Sequence, residues 1–337
     1  MNKKVSWGVL GTANIAVKKV IPAMLAGELT AVSAIASRDE ESARAAADSL
    51  GIPRYFGSYD ALLHDPDIDA VYIPLPNHLH LEWTTRAAEA GKHVLCEKPI
   101  GLNGDEVRDL IGVRNRTGVL IQEAFMIRTH PTWIAVKEII ASGRIGTLNA
   151  VTGFFSYYND DPSNIRNDLE KGGGALLDIG CYCVNVSRFV FGNEPTEVSG
   201  LIERDPQSGI DRLSSSMMRF ASGHSTFTCS TQLVPYQSMI FFGTKGRLEV
   251  QIPFNIPVET TTNLFVDDGS DLYERSLEKI EFEAADQYTI QGDVFSKAIM
   301  ERAEPDYSLE DSFGNMSVLD AIFRSAKSGR AERPEVL

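Results

Sequence analysis

Residues 69–99 read DAVYIPLPNHLHLEWTTRAAEAGKHVLCEKP and contain two short apolar runs with a helical pattern between them. The two runs, 70–73 and 93–96, have the length of buried strands. The second run continues directly towards Lys98 and Pro99. Because proline has no backbone N–H and restricts the residue before it, the strand has to stop there. A lysine held at a strand end is a candidate for chemistry.

The same alternation of strand and helix patterns extends over the first third of the chain. The other strand patterns lie at 5–10, 30–36, 54–56 and 119–122, and helical patterns run up to residue 25 and at 40–50, 59–64 and 103–117. Such alternation predicts a parallel sheet with right-handed crossovers, which binds ligands beyond the carboxyl ends of its strands. The residues at such ends, which we expect to share one cleft, are Gly11, Ser37, 74–77, Lys98 and Glu123.

The turn after the first strand has the pattern of a dinucleotide-binding loop. Gly11, Ala13 and Ala16 form a variant of G-x-G-x-x-G/A in which alanine replaces the second glycine. Gly11 permits the sharp bend, and the N–H groups and dipole of the following helix favour a pyrophosphate. Alone, the pattern also fits an ordinary strand-to-helix turn. The predicted cofactor contacts here are Gly11, Thr12, Ala13, Asn14 and Ile15.

The end of the second predicted strand carries the residues expected to read the cofactor ribose. Ser37 and Arg38 follow the glycine turn by about 20 residues, where an acidic residue would bind both ribose hydroxyls of NAD. A hydroxyl and a guanidinium instead suit the 2′-phosphate of NADP. The sequence thus favours NADP over NAD. The alternative is that Arg38 is solvated and that Asp39 only caps the next helix.

From residue 148 the pattern changes to consecutive strands. They lie at 150–157, 196–204, 213–220, 224–232, 237–243 and 246–251, and helical patterns return at 286–303 and 308–327. Consecutive strands without helices between them argue for an antiparallel sheet. The fold class is therefore an α/β half with a parallel sheet followed by an α+β half with an antiparallel one.

One helical pattern, at 176–191, carries polar side chains as well as an apolar stripe. The stripe, which we expect to be buried, comprises Leu176, Ile179, Cys183, Val186 and Val190. Asp178, Tyr182 and Asn185 fall on a different face. A carboxylate, a phenol and an amide side by side form a candidate site. The alternative is a helix start with an acidic first-turn residue and an ordinary half-buried tyrosine.

The charge and the cysteine content exclude several classes of partner. The chain of 337 residues has a formal net charge of -14, which disfavours nucleic acid and anionic lipid. No apolar run approaches the roughly 20 residues of a membrane helix, and no signal-peptide core follows the first residues, which predicts a cytoplasmic protein. Four cysteines are too few for a disulfide framework. Cys181 and Cys183, two apart on a helix, point away from each other, so no metal site is predicted.

Five motifs, in order along the chain, resemble those of the Gfo/Idh/MocA oxidoreductases. They are Gly11-x-Ala13-x-x-Ala16, Pro76-Asn77-x-x-His80, Glu97-Lys98-Pro99, EAFMIRTHP at 123–131 and GGGALLDIGCY at 172–182. With tyrosine at position 182, the chain is most similar to the branch that contains glucose-fructose oxidoreductase, NADP-dependent D-xylose dehydrogenase and dimeric dihydrodiol dehydrogenase.

The resemblance implies a two-domain enzyme. Residues 1–123 would form a dinucleotide-binding Rossmann domain, and residues 124–337 a substrate-binding and oligomerisation domain on a large, mostly antiparallel open sheet, with C-terminal helices that pack back on the first domain. It also implies a homodimer or a dimer of dimers through that sheet, and a catalytic or substrate-orienting lysine, Lys98, before a cis proline. The further expected cofactor contacts are Leu75, Pro76, Asn77, His80, Glu97 and Lys98, and Arg166 is expected to reach the cofactor or the substrate. Isoleucine at position 127, where sugar-acting relatives often carry tyrosine, leaves the substrate open.

These residues suggest a mechanism of proton transfer. If the helix at 176–191 faces Lys98, the ammonium group favours the phenolate form of Tyr182. Tyr182 would then remove the hydroxyl proton of a sugar or polyol while hydride moves to the nicotinamide, and Asp178 would hold a substrate hydroxyl. One alternative is a dehydrogenase or reductase of trans-dihydrodiols or dicarbonyls. Another is a cofactor-binding regulator without turnover, against which the presence of both Lys98 and Tyr182 counts.

Overall fold

The computed structural model describes residues 4–337, and the first part of the chain follows the predicted alternation of strands and helices. The strands there are β1 (Val5–Leu10), β2 (Thr30–Ala36), β3 (Arg54–Phe56), β4 (Ala70–Ile73), β5 (His93–Cys96) and β6 (Ile121–Glu123). The helices are α1 (Ile21–Ala26), which follows a π-helical turn at Ala16–Val20, α2 (Glu40–Leu50), α3 (Tyr59–Leu63), α4 (His80–Glu89) and α5 (Gly104–Thr117).

These strands form one parallel sheet, as predicted. Their order is β3-β2-β1-β4-β5-β6, and every neighbouring pair is parallel. The direction of the strand order reverses between β1 and β4, and open α/β sheets bind ligands beyond the carboxyl ends of strands at such a point. All four residues of β4 are buried, which explains its unbroken apolar sequence.

The later strands form a second sheet. The elements are α6 (Pro131–Ala141), β7 (Leu148–Tyr158), α7 (Cys181–Phe191), β8 (Glu197–Arg204), β9 (Asp211–Arg219), β10 (His224–Ser230), β11 (Gln232–Gly243), β12 (Gly246–Val250), β13 (Thr262–Asp267) and β14 (Glu278–Phe282). Within residues 4–337 the sheet has the order β14-β13-β12-β11-β7-β10-β9-β8. Its pairs are antiparallel except that of β7 with β10. The prediction of a mostly antiparallel sheet is confirmed, although α6, β13 and β14 were not predicted.

The chain ends with α8 (Gln287–Glu301) and α9 (Leu309–Ser328) and divides into two compact units. The first contains the residues up to Met126 and Asp286–Phe313, and the second contains Ile127–Ala285 and Gly314–Leu337. Within the first unit, α8 covers β1. The indole Nε1 of Trp7 donates a hydrogen bond to Ser296 Oγ at 3.0 Å, and its ring packs on Phe295 with centroids 5.9 Å apart. The parallel sheet therefore takes part of its core from a distant segment of the sequence.

The predicted burial of the apolar stripe on the helix at 176–191 is confirmed for Leu176, Ile179, Cys183 and Val186, but burial extends to the other faces of the helix. The helix begins with a π-helical turn at Leu176–Gly180 and continues as α7. Every residue from 176 to 188 is buried, Tyr182 and Asn185 included, because α7 packs against both β7 and α6. The expectation that no apolar run approaches the length of a membrane helix is also corrected for this segment. Leu169–Phe191 is long and apolar enough to cross a membrane, but 83% of its most apolar window is buried inside the protein, as in a core helix.

Candidate active site

The turn between β1 and the helix that follows it can accept a pyrophosphate. Gly11 has a φ of +116°, a backbone region that favours glycine, and a Cβ placed there would lie 3.1 Å from Leu75 Cδ2. The Gly11 N–H donates to Ala36 O at 2.8 Å, which holds the turn beside the end of β2. Residues 12–15 are half-buried or exposed, so their backbone can be reached. The geometry fits a bound dinucleotide phosphate.

Ser37 and Arg38 come directly after β2, at the same edge of the sheet. The Arg38 guanidinium lies near the hydroxyl group of Tyr59 in α3. Burial raises the pKa of Tyr59, and the positive charge of Arg38 acts against this shift. The Tyr59 hydroxyl lies 3.8 Å from the position of a Cβ on Gly11. Arg38 is thus held near the glycine turn.

Two of these features bear on the earlier predictions. Asp39 caps α2, because its carboxylate accepts a hydrogen bond from Ser42 N at 3.1 Å. The alternative interpretation is therefore confirmed in its assignment of Asp39 as a helix cap. Tyr59 was not predicted as a site residue. A tyrosine in the first turn of a short helix carries no local signal that it lies beside the glycine turn.

His80 is fully buried and lies between two backbone carbonyl groups. Its Nδ1 is 2.7 Å from Pro99 O and its Nε2 is 2.7 Å from Leu75 O. Burial lowers the pKa of His80 to about 4, although the two carbonyl groups act to raise it. The ring connects the loop after β4 with the turn after β5, so its role here is to join these loops. Direct contact of His80 with a cofactor stays a prediction.

Lys98 follows β5 and is half-buried, and the Lys98–Pro99 peptide bond is cis. Glu97 is fixed on both its backbone and its side chain. Its N–H donates to Ile73 O at 3.0 Å, and its Oε1 accepts a hydrogen bond from the hydroxyl group of Tyr72 at 2.6 Å. The two charged residues therefore stand at the carboxyl end of the sheet, as predicted from the proline.

Asp178 and Tyr182 lie four residues apart in the second unit, where the carboxylate of Asp178 contacts Tyr157 and Arg166. Its Oδ2 accepts a hydrogen bond from the Tyr157 hydroxyl on β7 and another from Arg166 Nε at 3.0 Å. The negative charge of Asp178 raises the pKa of Arg166, and burial together with Asp178 raises that of Tyr157. Arg166, predicted to bind the cofactor, thus contacts Asp178. Tyr157 was missed because an aromatic residue in a strand is usually a packing residue.

The ring of Tyr182 packs between two other aromatic rings. Its centroid is 5.8 Å from that of Phe155, in an edge-to-face arrangement, and 5.3 Å from that of Phe254. Only 5% of Tyr182 is exposed. Asn185 lies one turn further on and is fully buried, and its side-chain oxygen accepts a long hydrogen bond of 3.4 Å from Arg128. The position of the phenol is therefore set by packing, which favours a single orientation of its hydroxyl group.

A buried carboxylate holds the start of this helix. Asp211 Oδ2 accepts hydrogen bonds from Leu176 N at 2.7 Å and from Ser214 Oγ at 3.1 Å, and burial raises the pKa of Asp211 to about 6. Gly174 has a φ of +117°, and a Cβ there would collide with Asp211 Oδ1. The three-glycine motif therefore lets the chain pass close to Asp211, and so fixes the helix that carries Asp178.

The predicted site residues thus divide between the two units. Those in the first unit are Gly11, Thr12, Ala13, Asn14, Ile15, Ser37, Arg38, Leu75, Pro76, Asn77, His80, Glu97 and Lys98. Those in the second unit are Arg166, Asp178 and Tyr182. The four cysteines are buried and form no disulfide bond, and the part of the chain from residue 4 onward contains no group of three or more His, Cys, Asp or Glu side chains arranged to hold a metal ion.

Comparison with known proteins identifies both regions. Residues 5–125 match the family model "Oxidoreductase family, NAD-binding Rossmann fold", and residues 133–249 match "GFO/IDH/MocA C-terminal domain". An uncharacterized oxidoreductase of Rhizobium meliloti is 49% identical over 97% of this chain and 98% of its own length. D-xylose 1-dehydrogenase (NADP(+)) 2 of Haloferax volcanii is 39% identical over 96% of this chain and 98% of its own.

A solved structure agrees with these matches. KijD10, a 3-ketoreductase from Actinomadura kijaniata in complex with NADP and TDP-benzene, superposes with a TM-score of 0.89 and is 29% identical. The superposition covers 96% of this chain and 98% of KijD10. The motifs, the two sheets and the relatives agree, and the chain belongs to the Gfo/Idh/MocA family of oxidoreductases.

Proposed function

We propose that the protein is an NADP-dependent oxidoreductase that transfers a hydride between nicotinamide and a hydroxyl or carbonyl carbon of a sugar or polyol. The observation that carries this proposal is the presence of a lysine at the end of β5, Lys98, and of a buried tyrosine on α7, Tyr182. Solved structures of KijD10 include variants with one lysine or one tyrosine replaced. These two positions are separated by the same number of residues as Lys98 and Tyr182, and the similar D-xylose dehydrogenase is named for NADP(+).

The first unit would bind the dinucleotide and the second would bind the substrate. Gly11 and the helix after it would hold the pyrophosphate through backbone N–H groups. Ser37 and the Arg38–Tyr59 pair would bind the 2′-phosphate, because a guanidinium and two hydroxyl groups are hydrogen-bond donors that suit a phosphate dianion. Arg166, which contacts Asp178, is better placed to act on the substrate side than on the cofactor.

Replacement of Arg38 with alanine is expected to weaken NADP binding by a factor of roughly 10 to 100, because a charge-assisted hydrogen bond is lost. NAD has no 2′-phosphate, so its Kd should change by less than about threefold. Titration of cofactor fluorescence measures both constants. Arg44→Ala, which removes another exposed arginine a short distance along α2, is the matched control. A wild-type protein that binds NAD more tightly than NADP would refute the role given to Ser37 and Arg38.

Proton transfer is assigned to Tyr182 with help from Lys98. Bound NADP supplies or accepts the hydride. Tyr182 would take the proton of the substrate hydroxyl in oxidation and return it to the carbonyl oxygen in reduction. The ammonium group of Lys98 would favour the phenolate form of Tyr182. Asp178, held by Tyr157 and Arg166, would accept a hydrogen bond from a second substrate hydroxyl and so orient the reacting carbon.

The test of this function is a substrate screen that follows nicotinamide absorbance with NADP and with NAD. The panel contains aldoses, anhydrosugars, inositols, nucleotide-linked keto sugars, dicarbonyls and trans-dihydrodiols. Turnover of sugars or polyols with NADP supports the proposal. Selective turnover of trans-dihydrodiols or dicarbonyls supports the second enzymatic alternative. Cofactor binding without any turnover over the whole panel would support a regulator and contradict the proposal.

The second sheet would also join two copies of the chain. Its outward face carries large apolar side chains that are 39–77% exposed, namely Leu201, Met217, Tyr236 and Phe242. Exposed apolar faces of this kind mark interfaces. Sedimentation velocity at micromolar concentration should show a dimer or a dimer of dimers, and Met217→Glu should shift it towards monomer. Leu272→Glu, at a residue that is 99% exposed in a loop, is the control that should leave the mass unchanged. A monomeric wild-type protein would contradict this assignment.

A further inference from the structure

Glu123, the last residue of β6, carries a fully buried carboxyl group for which the mechanism above has no use. Its Oε1 accepts a hydrogen bond from Ile100 N at 2.9 Å. Ile100 follows Pro99, so this contact fixes the backbone two residues after Lys98. A buried carboxyl group is costly unless it is hydrogen-bonded, and the fold meets that cost at this turn.

The other oxygen of Glu123 binds the C-terminal segment of the first unit. Its Oε2 accepts a hydrogen bond from the Tyr307 hydroxyl at 3.0 Å. The hydroxyl group of Ser312 in α9, which donates to Ser308 O at 3.4 Å, is near enough to lower the pKa of the carboxyl group. Tyr307 is 2% exposed, and its ring packs edge-to-face on Phe125. The carboxyl group therefore joins the N–H of Ile100 in the Lys98 turn to the hydroxyl group of Tyr307 in the segment that precedes α9.

The pKa of the Glu123 carboxyl group is shifted towards neutral pH by its surroundings. Burial raises the pKa of Glu123 to about 7, whereas the donors from Ser312, Ile100 and Tyr307 lower it. Asp311 is a further charged group that acts on it and raises the pKa, and the thiol of Cys96 lies close enough for its own pKa to respond to Glu123. The carboxylate form can accept from both Ile100 N and the Tyr307 hydroxyl, whereas the protonated form gives up one acceptor site.

We propose that Glu123 is a positioning residue for Lys98. Its carboxyl group ties the backbone after Pro99 to the buried Tyr307, and this contact sets the direction in which the Lys98 side chain extends. The inference rests on the catalytic role proposed for Lys98. His80 assists, because its Nδ1 contacts the carbonyl group of Pro99 at 2.7 Å, so that the residues on both sides of the Pro99–Ile100 peptide bond are held. Glu123 itself touches neither reacting atom nor cofactor in this assignment.

The test is a double-mutant cycle of Glu123→Gln and Lys98→Ala, read as kcat at saturating NADP and substrate and as the Kd of NADP. Glu123→Gln alone is expected to lower kcat by roughly 10- to 100-fold, the effect of displacing a catalytic group by about 1 Å, and to change the Kd of NADP by less than about threefold. In the Lys98→Ala background the same change should lower kcat no further, because Glu123 acts through Lys98.

Tyr307→Phe is the second arm and decides the question if Glu123→Gln does not fold. It keeps the ring on Phe125 and the acceptor for Ile100 but removes one donor to the carboxyl group, so kcat should fall by roughly 3- to 10-fold, again only when Lys98 is present. An equal fall of kcat in the Lys98→Ala background, with either variant, would overturn the inference in favour of a general structural role. Unchanged kcat in Glu123→Gln would also overturn it.

The cycle separates this inference from the proposed function. If Lys98→Ala retains wild-type turnover, the catalytic role of Lys98 fails, and the role of Glu123 fails with it. If Lys98→Ala is inactive while Glu123→Gln and Tyr307→Phe keep full kcat, only the role of Glu123 fails.

Discussion

Replacement of Tyr182 with phenylalanine is expected to lower kcat by a factor of roughly 100 or more, because the variant has no group to exchange a proton with the substrate oxygen. The ring itself remains, and its packing on Phe155 and Phe254 does not involve the hydroxyl group. The Kd of NADP and the thermal stability should therefore change little. Steady-state nicotinamide absorbance with the best substrate of the screen, together with a thermal melt, measures these quantities.

The matched control is Tyr158→Phe, which also removes one phenolic hydroxyl group. Tyr158 is 62% exposed, and its hydroxyl donates to Asp160 at 3.1 Å, so its loss should leave kcat within about twofold of wild type. Wild-type turnover by the Tyr182 variant on a good substrate would remove Tyr182 from the mechanism and leave Lys98 as the acid/base.

Replacement of Lys98 with alanine is expected to cause a loss of kcat of similar size, roughly 100-fold or more, for a different reason. The ammonium group favours the phenolate form of a neighbouring phenol, so without it the base is present in a smaller fraction of molecules at neutral pH. The variant should therefore regain activity as the pH is raised towards the ordinary pKa of a phenol, about 10. A profile of kcat against pH measures this recovery.

The losses of kcat caused by Lys98→Ala and by Tyr182→Phe should not be additive. Because Lys98 acts through Tyr182 in this mechanism, the double variant should be no slower than the slower single variant. Lys279→Ala, at a half-exposed lysine of β14 that pairs with Glu281, is the control for loss of a positive charge. Additive losses, or a Lys98→Ala profile with no recovery at high pH, would show that Lys98 contributes independently of the phenol.

The parallel sheet could be predicted closely because its boundaries are marked by local chemistry. The strands at 70–73 and 93–96 were predicted with the observed bounds, since both are buried apolar runs that end at prolines or charges. The same holds for α2, which begins after the capping residue Asp39 and ends at Gly51, whose φ is +69°.

The elements that were missed lack such signals. α6 begins after His130, whose ring accepts a hydrogen bond from Thr132 N at 3.2 Å, and histidine is not among the residues that usually cap helices. β13 and β14 lie at one edge of the second sheet, and the sequence of β14, EKIEF, is mostly charged because the strand is largely exposed. Its strand conformation comes from pairing with β13 rather than from its own residues.

The candidate site divides in the same way. Lys98, Asp178 and Tyr182 stand in recognisable local motifs, but the residues that hold such groups in place do so across long separations in the chain. Tyr307 and Glu123 are 184 residues apart in sequence and share a hydrogen bond. No periodicity or spacing in the sequence predicts such a contact, because only the tertiary fold brings the two residues together.

The discontinuous first unit has a consequence for how the protein is made. Trp7 is covered by Phe295 and Ser296, and Glu123 forms a hydrogen bond with Tyr307. The core around the parallel sheet can therefore be completed only after most of the chain has been synthesised. The strands from β7 to β14 pair largely with neighbours in sequence, but their unit is also completed late, by Gly314–Leu337. A nascent chain therefore keeps an open apolar surface around Trp7 during most of translation, although the N-terminus is synthesised first.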